Sequence, residues 1–210
     1  MSVPDRSIDN RLIKAAKKEF LKNGYEKTSL SEICRNAGVT TGALYKRYEG
    51  KEDLFSALVS GVIKEMEERV SEIIVADISV MTDEELYESI TMKPEFILSF
   101  FKFLYERKDA FTILVKCSGG TQYENFRHKW AEKVNEQVWK YYEETKRRKM
   151  TSKKVSKEEM RVLTSILWEM FCEPFVYGFS WEQIEEHAKI FHGYINLHTA
   201  LGIKKPDSEV

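Results

Sequence analysis

Residues 27–55 of the 210-residue chain are KTSLSEICRNAGVTTGALYKRYEGKEDLF, and they contain two short helical patterns on either side of a glycine. Ser29 and Glu32 have the spacing of a capping box, in which each side chain satisfies a free backbone N–H of the other residue, so a helix is expected to begin near Ser29. Gly38 can adopt the left-handed conformation that commonly ends a helix. Between them, apolar residues recur at three- and four-residue intervals and predict one buried face: Leu30, Ile33, Cys34 and Ala37.

A second short helix is expected directly after this glycine. Thr40 can cap it, and Leu44 and Tyr48, four residues apart, give it an inward face. The opposite face then has no apolar surface to bury against, and it carries Thr41, Gly42, Ala43, Tyr45 and Lys46. Two helices joined by a short turn that contains glycine form a helix-turn-helix motif, whose second helix enters the major groove of DNA.

The outward face of the second helix has side chains that suit this role. Its first residues are small, so the helix N-terminus can approach DNA closely, and its free amides and positive dipole favour phosphate. We expect Thr40, Thr41, Gly42, Ala43 and Lys46 near base edges, with Tyr45, Arg47 and Lys51 on phosphates. On this interpretation Lys51→Ala weakens binding to all DNA sequences alike and lowers the salt slope by about 1, whereas Thr41→Ala changes sequence preference.

The same residues resemble the DNA-binding signature of the tetracycline-repressor (TetR) family. The resemblance covers roughly residues 8–58, about a quarter of the chain, and rests on Gly24-Tyr25, Thr28, Ala37-Gly38-Val39, Gly42-x-Leu44-Tyr45 and Lys51-Glu52-x-Leu54. Two departures concern the bases that are recognised: Thr41 stands where many members have Lys or Arg, and Lys46-Arg47 replace a frequent aromatic pair or aromatic-His pair.

The resemblance implies several properties beyond the motif. It implies that Thr28 offers its hydroxyl to a phosphate and that the last two long helices form a four-helix dimer interface. Dimerisation also has a physical motive, because two such modules held about one helical turn apart can recognise a palindrome. We expect the interface at Leu163, Leu167, Phe171, Ile184, Ala188, Phe191 and Ile195.

Charge and cysteine content limit the classes of protein to which this sequence can belong. The chain has 33 Lys and Arg against 34 Asp and Glu, a net charge of -1, so its overall charge does not indicate a nucleic-acid binder. Residues 1–55 have eleven basic and eight acidic residues, a modest basic excess where phosphate contacts would fall. Three widely spaced cysteines suit a reducing cytoplasm, where we expect this protein, and neither an apolar signal segment nor a membrane-spanning run is evident.

The whole chain is expected to be all-α. We predict about nine to ten helices in two domains: a three-helix helix-turn-helix DNA-binding domain (1–50) and a helical ligand-binding and dimerisation domain (51–210). One helix should run unbroken from Lys51 to about Ala76 and could act as a lever between them. Another should run from Ser180 to about Leu201. The basic run at 146–149 suggests either a solvated loop or a second nucleic-acid contact.

The carboxyl-terminal domain is rich in aromatic residues, which could line a cavity for a small apolar effector or simply fill the core. The candidates are Phe96, Phe100, Phe103, Tyr105, Phe111, Tyr123, Trp130 and Trp168. The four histidines include no pair four residues apart, and no nucleophile turn or phosphate-binding loop is present, so we expect no metal, no cofactor and no enzymatic activity.

The sequence therefore predicts a homodimeric transcription regulator that binds a palindromic operator in double-stranded DNA. Repression relieved by a small effector is the expected mode, although activation is also compatible with the sequence. The alternative is a helical protein-interaction module without specific DNA binding.

Overall fold

The computed structural model describes residues 6–73 and 77–206, and over these residues the chain is built from helices. A 3-10 turn spans Ile78–Val80, and an isolated antiparallel bridge pairs Thr151 with Ile203. The α-helices are α1 (Arg6–Lys27), α2 (Leu30–Ala37), α3 (Thr41–Tyr45), α4 (Lys51–Ile73), α5 (Asp83–Ser89), α6 (Pro94–Glu106), α7 (Lys108–Lys116), α8 (Phe126–Arg147), α9 (Lys157–Val176), α10 (Trp181–Tyr194) and α11 (Leu197–Leu201). The predicted all-α fold, with an amino-terminal helix-turn-helix and a carboxyl-terminal helical domain, is confirmed.

The amino-terminal unit comprises the described residues up to Val70 together with Arg107–Phe126. In it α1 packs against both α2 and α7, and α2 packs against α3. Gly24 interrupts α1 with a φ of +75°, as expected from the Asn23-Gly24 signal. The core of this unit is apolar and fully buried at Leu12, Phe20, Ile33, Leu44 and Phe55. This unit is larger than residues 1–50, because it also contains α4 up to Val70 and residues 107–126, which are distant along the chain.

The carboxyl-terminal unit comprises Ser71–Glu106 and the described residues from Arg127 onwards. Its helix α10 packs against α6 and α9. Capping boxes at Thr82, Ser156 and Ser180 begin α5, α9 and α10. In each one, the hydroxyl accepts a hydrogen bond from the backbone N–H three residues later, and the side chain of that later residue accepts one from the backbone N–H of the capping residue. One apolar cluster of this unit joins Ile90, Tyr142, Met160, Leu201 and Ile203.

The predicted single helix from Ser180 to Leu201 is wrong. Helix α10 ends at Tyr194, since Ile195 has an extended backbone with φ −112° and ψ 108°. The Asn196 side chain then accepts a hydrogen bond from the Thr199 N–H and begins α11. An asparagine that caps a new helix competes with continuation of the old one, and the apolar pattern alone did not reveal this.

One other predicted helix begins later than expected, and one has its predicted end outside the described residues. The helix expected from Gln122 begins at Phe126, after turns at 122–125. Helix α4 is continuous to Ile73, and the last residues of its predicted span, 74–76, lie outside the described residues.

Candidate functional site

The helix-turn-helix of the amino-terminal unit has the turn and the N-caps that its sequence predicts, except that the bond between Ser29 and Glu32 is not reciprocal: the Glu32 carboxylate pairs with Arg35 at 3.5 Å. Ser29 caps α2 by accepting from the Glu32 N–H at 3.3 Å, and Gly38 ends α2 in the left-handed region with φ +63° and ψ 41°. Thr40 then caps α3 by accepting from the Ala43 N–H at 3.2 Å. The tight glycine turn therefore fixes the direction in which α3 leaves α2.

Helix α3 buries one side and exposes the other. Leu44 is completely buried, whereas Thr41, Gly42 and Lys46 are exposed and the Tyr45 side chain is 57% exposed. Small residues at the start of α3 leave its N-terminal amides accessible, and the hydroxyl and ammonium groups that follow can donate hydrogen bonds to base edges or phosphates. This face has the shape and donors that major-groove contact requires.

The Thr41 side chain also forms a hydrogen bond with the thiol of the buried residue Cys34. Burial raises the pKa of the Cys34 thiol, and the hydrogen bond with Thr41 opposes that effect only in part. Cys34 therefore remains a protonated thiol that packs inside the motif.

Lys51 is engaged within the unit. Its Nζ donates to the carbonyl oxygens of Tyr25 at 2.8 Å, Thr28 at 3.0 Å and Glu26 at 3.4 Å, and it lies 4.2 Å from the centre of the Tyr25 ring. These carbonyls lie at the end of α1, where unpaired oxygens and the negative end of the helix dipole favour a cation. Lys51 thus ties the start of α4 to the end of α1, and a phosphate contact would compete with these bonds.

Two arginines cap the other helices of the motif in the same way. Arg11 of α1 donates to the carbonyl oxygens of Ala37 and Gly38 at the end of α2, at 3.3 and 3.2 Å. Arg47 donates to the Ala43 carbonyl of α3 at 3.2 Å and forms an ion pair of 2.6 Å with Asp9 of α1. Carbonyl oxygens near the end of each helix of the motif therefore accept hydrogen bonds from a cationic side chain, which lies elsewhere in the unit or in the following turn. The role of Arg11 is not predictable from the sequence, because its acceptors are 26 and 27 residues away and leave no local pattern.

Thr28 is buried, with 3% of its surface exposed. Its hydroxyl lies 2.7 Å from the Gly24 carbonyl and 3.2 Å from the Glu19 carbonyl, so its single proton is donated inward. The Glu19 carboxylate, also buried, accepts from the side-chain amides of Asn23 and Asn36 and so joins α1 to α2. Thr28 and Glu19 hold the turn that precedes the motif.

The aromatic residues predicted to line an effector cavity are divided between the two units. Phe111 and Tyr123 belong to the amino-terminal unit, where Tyr123 stacks against Phe55 at 6.0 Å. The others belong to the carboxyl-terminal unit and pack ring to ring, with centroid distances of 5.7 Å for Trp130 and Trp168 and 5.9 Å for Phe100 and Phe103. Phe96 stacks on Phe100, and Tyr105 contacts Trp181.

The residues expected at a dimer interface lie mostly inside the protomer. Phe171, Ile184, Ala188 and Phe191 are buried in the carboxyl-terminal unit, and Leu163, Leu167 and Ile195 are half-buried. Helices α9 and α10 instead expose another set of apolar side chains: Val162, Ile166, Ile190 and Tyr194. The periodicity did not distinguish the core face of these two helices from their outer face, because both are apolar.

Two further features of the described residues bear on function. None of the helices in 6–73 and 77–206 combines the length and the apolar character that a bilayer crossing requires. Within the same ranges His, Cys, Asp and Glu form no group of three or more that could hold a metal ion.

Comparison with known proteins agrees with this geometry. Residues 12–58 match the family described as bacterial regulatory proteins, tetR family. The uncharacterized HTH-type transcriptional regulator YhgD of Bacillus subtilis is 32% identical over 68 residues, which are 31% of this chain and 36% of that protein. The match thus spans about a third of this curated relative.

Solved structures resemble the chain over nearly its full length. One is the TetR family transcriptional regulator PfmR of Thermus thermophilus, with a TM-score of 0.59, 17% identity and coverage of 87% of this chain and 95% of that one. Another is the fatty acid degradation regulator FadR of Bacillus halodurans, with a TM-score of 0.56, 15% identity and coverage of 92% and 95%. Residues 12–58 thus form a helix-turn-helix of the kind found in the tetR family of bacterial regulatory proteins, and the chain shares the fold of solved tetR-family structures.

Proposed function

We propose that this protein is a transcriptional regulator that binds a palindromic operator as a homodimer and is released from it by a small apolar or aromatic effector. The observation that carries the proposal is the exposed face of α3, with Thr41 and Gly42 at its start and Tyr45 and Lys46 one turn later. A regulator with these contacts works on chromosomal DNA, so we assign it to the cytoplasm.

The role that we propose for each side chain in DNA binding depends on whether it is exposed on α3 or already hydrogen-bonded within the unit. Thr40, Thr41, Gly42, Ala43 and Lys46 lie at the start and on the outer side of α3, which supports a role near base edges. Tyr45 is exposed beside them and supports a phosphate contact. Thr28, Arg47 and Lys51 have inward hydrogen bonds, which supports a role in positioning α3 or in phosphate contacts made after those bonds rearrange.

The outer faces of α9 and α10 support a dimer. Val162, Ile166, Ile190 and Tyr194 are each more than half exposed, and apolar side chains clustered on the surface commonly mark a protein interface. A twofold pairing of these faces would give two copies of α3, as a palindrome requires.

The aromatic cluster of the carboxyl-terminal unit supports an apolar or aromatic effector. Phe96, Phe100, Phe103, Trp130 and Trp168 provide contact area for such a molecule, which would enter by separating rings that now pack together. The name of the similar FadR protein, a fatty acid degradation regulator, makes a long-chain fatty acid a sensible first probe.

The experiment that tests the proposal begins with selection of DNA from a random pool by the purified protein. Fluorescence anisotropy on the selected site should give salt-sensitive binding that exceeds binding to shuffled DNA by about 10³-fold or more. The selected site should be a palindrome, and palmitate or naphthalene should weaken the complex. A reporter gene placed behind the site then separates repression from activation. If no sequence is enriched, a helical protein-interaction module is the better description.

A further inference from the structure

A groove of about 580 Å³ runs along the outer surface of the carboxyl-terminal unit, between α6 and the start of α10. Its apolar lining consists of Leu98 and Tyr105 from α6 and Trp181 from α10. The Tyr105 and Trp181 rings are 5.3 Å apart at an angle of 54°, so they form a shaped aromatic corner. Leu98 is 38% exposed, whereas its neighbours Ile97 and Phe101 in α6 are buried.

The polar lining of the groove is mostly acidic. Glu95 and Glu106 of α6 and Glu185 of α10 contribute carboxylates, against the single ammonium of Lys102. Like charges around a concave surface with apolar walls raise the local concentration of opposite charge. An anion would be repelled here, and a neutral apolar molecule would gain nothing from the negative charge.

Trp181 and Glu185 are four residues apart on α10, so an aromatic face and a carboxylate lie side by side. A cation over an indole face is attracted by the negative charge of the ring, and tryptophan is the best aromatic residue for this contact. A weakly hydrated organic cation gains most, because it can also place its apolar body against Leu98 and Tyr105. A lysine ammonium is compact and strongly hydrated, so a basic peptide fits this corner less well.

We propose that this groove is a binding site for a small organic cation with an apolar body, such as a quaternary ammonium compound. Its charged head contacts Trp181 and Glu185, and its apolar part lies along the exposed side of α6. The site differs from the aromatic cluster proposed for the apolar effector and does not depend on DNA binding.

The groove also remains accessible in the proposed dimer. Trp181 and Ile190 are nine residues apart in α10, which at 100° per residue places them half a turn apart. Ile190 and Tyr194 therefore face away from the groove. A second copy packed on those side chains would leave the Trp181 face open.

Isothermal titration of the full chain with phenyltrimethylammonium tests the proposal, with N,N-dimethylaniline as the neutral analogue and benzenesulfonate as the anion. Glu185→Gln keeps the shape and removes the charge, Trp181→Leu removes the aromatic face, and Glu186→Gln on the same helix is the matched control outside the groove. Circular dichroism verifies that each variant remains folded. The cation should bind more tightly than either analogue, less tightly as salt increases, and about 3- to 10-fold less tightly to the first two variants.

Several results would overturn the proposal. They are absence of cation binding to the wild-type chain, equal binding of the neutral analogue, and equal weakening by Glu185→Gln and Glu186→Gln. Tetralysine is titrated in parallel, and if it binds in a Trp181-dependent way while the small cation does not, the groove takes a basic peptide instead.

Discussion

Lys51 shows how one residue of the motif can be structural although its position suggests a DNA contact. The carbonyl oxygens of Tyr25, Glu26 and Thr28 surround its ammonium group, within 2.8 to 3.4 Å. A hydrogen bond to a charged group contributes about 1.5–3 kcal/mol when well shielded and less when partly exposed, as here. Lys51 is therefore expected to act on DNA binding through the position of α1 and α4.

Lys51→Met is expected to lower the unfolding free energy by about 1–2 kcal/mol, because three carbonyls lose a charged donor while the apolar stem is kept. The salt slope of DNA binding should change little. Urea denaturation and anisotropy at several salt concentrations measure the two effects. Lys46→Met is the matched control, since Lys46 is exposed on α3 and should weaken DNA binding without loss of stability. A salt slope lowered by about 1 with unchanged stability in Lys51→Met would instead place Lys51 on a phosphate.

The ion pair between Arg47 and Asp9 restrains a cation that could otherwise contact DNA. Their 2.6 Å ion pair holds the guanidinium against α1. Asp9→Asn keeps the shape, removes one negative charge near the proposed DNA surface and releases Arg47 from its partner. We expect tighter DNA binding and a salt slope that is steeper by about 1. Asp53→Asn removes the same charge without releasing an arginine, so an equal effect of both variants would mean that net charge alone is responsible.

These residue-level roles lie beyond what sequence patterns can reveal. The exposed and buried sides of α3 follow from spacing, because side chains four residues apart share a face. The partners of Arg11 and Lys51 are backbone carbonyls more than 20 residues away, and every residue type has a carbonyl. A cation in the motif therefore looks the same in the sequence whether it faces phosphate or caps a helix.

The turn between α2 and α3 depends on the left-handed backbone of Gly38. A Cβ added there would lie 3.6 Å from the Arg11 guanidinium, an ordinary contact, so the penalty for Gly38→Ala is conformational. We expect a loss of about 1–2 kcal/mol in thermal or urea unfolding. Gly61→Ala within α4 is the control: nothing lies within 4 Å of its Cβ position, and alanine should stabilise the helix by up to about 1 kcal/mol. Equal effects at both positions would contradict this account of the turn.

The end of α8 is held by an acid-sensitive cluster. Arg147, with Arg148 assisting, lowers the pKa of the Glu144 carboxyl from 4.5 to about 2. Arg148 also donates to the Met81 carbonyl at 2.6 Å and pairs with Asp83 at 2.8 Å, so the cluster joins α8 to the start of α5. The basic run at 146–149 is thus partly engaged in structure.

The stabilisation from Glu144 has a defined pH window. Because its folded-state pKa is depressed, the contribution is fully present above about pH 4.5 and is lost as pH falls through about 2. The difference in unfolding free energy between wild type and Glu144→Gln should therefore shrink across this range. Urea unfolding from pH 6 down to about pH 2 measures it. Glu143→Gln, an exposed neighbour, is the control, and a similar pH-dependent difference for it would contradict the assignment.

Element boundaries were predictable where the signal is local. Thr82, Ser156 and Ser180 begin helices as their capping boxes indicate, since both partners lie within four residues. The break before α11 was not predictable from apolar spacing. Helix α11 is also held in place by His198, which is 111 residues from Tyr87 along the chain. The two ring centroids are 3.9 Å apart, and the His198 ring contacts the Tyr87 carbonyl.

At the scale of the whole molecule, chain order and spatial grouping differ. Residues 107–126 lie between helices of the carboxyl-terminal unit in sequence but belong to the amino-terminal unit. Lys17 pairs with Asp109 at 2.8 Å, and the Tyr25 N–H donates to the Cys117 carbonyl at 3.1 Å. An apolar pattern shows that α7 is buried, but it does not show which core buries it. For this reason the sequence alone groups Phe111 and Tyr123 with aromatic residues of the other unit.

The outer faces of α9 and α10 are the surfaces at which we expect two copies of the protein to associate. Ile166 and Ile190 are 51% and 64% exposed, so a glutamate at either position does not disturb the protomer core but would place a charge in the proposed interface. An unpaired charge buried between two copies opposes association. Ile190→Glu and Ile166→Glu should give monomers in size-exclusion chromatography with light scattering and much weaker binding to a palindrome than wild type, while half-site binding is retained. Val80→Glu makes the same change at a 75% exposed position outside these helices and should remain dimeric. Dimers that persist in both α9 and α10 variants would move the interface elsewhere on the protein.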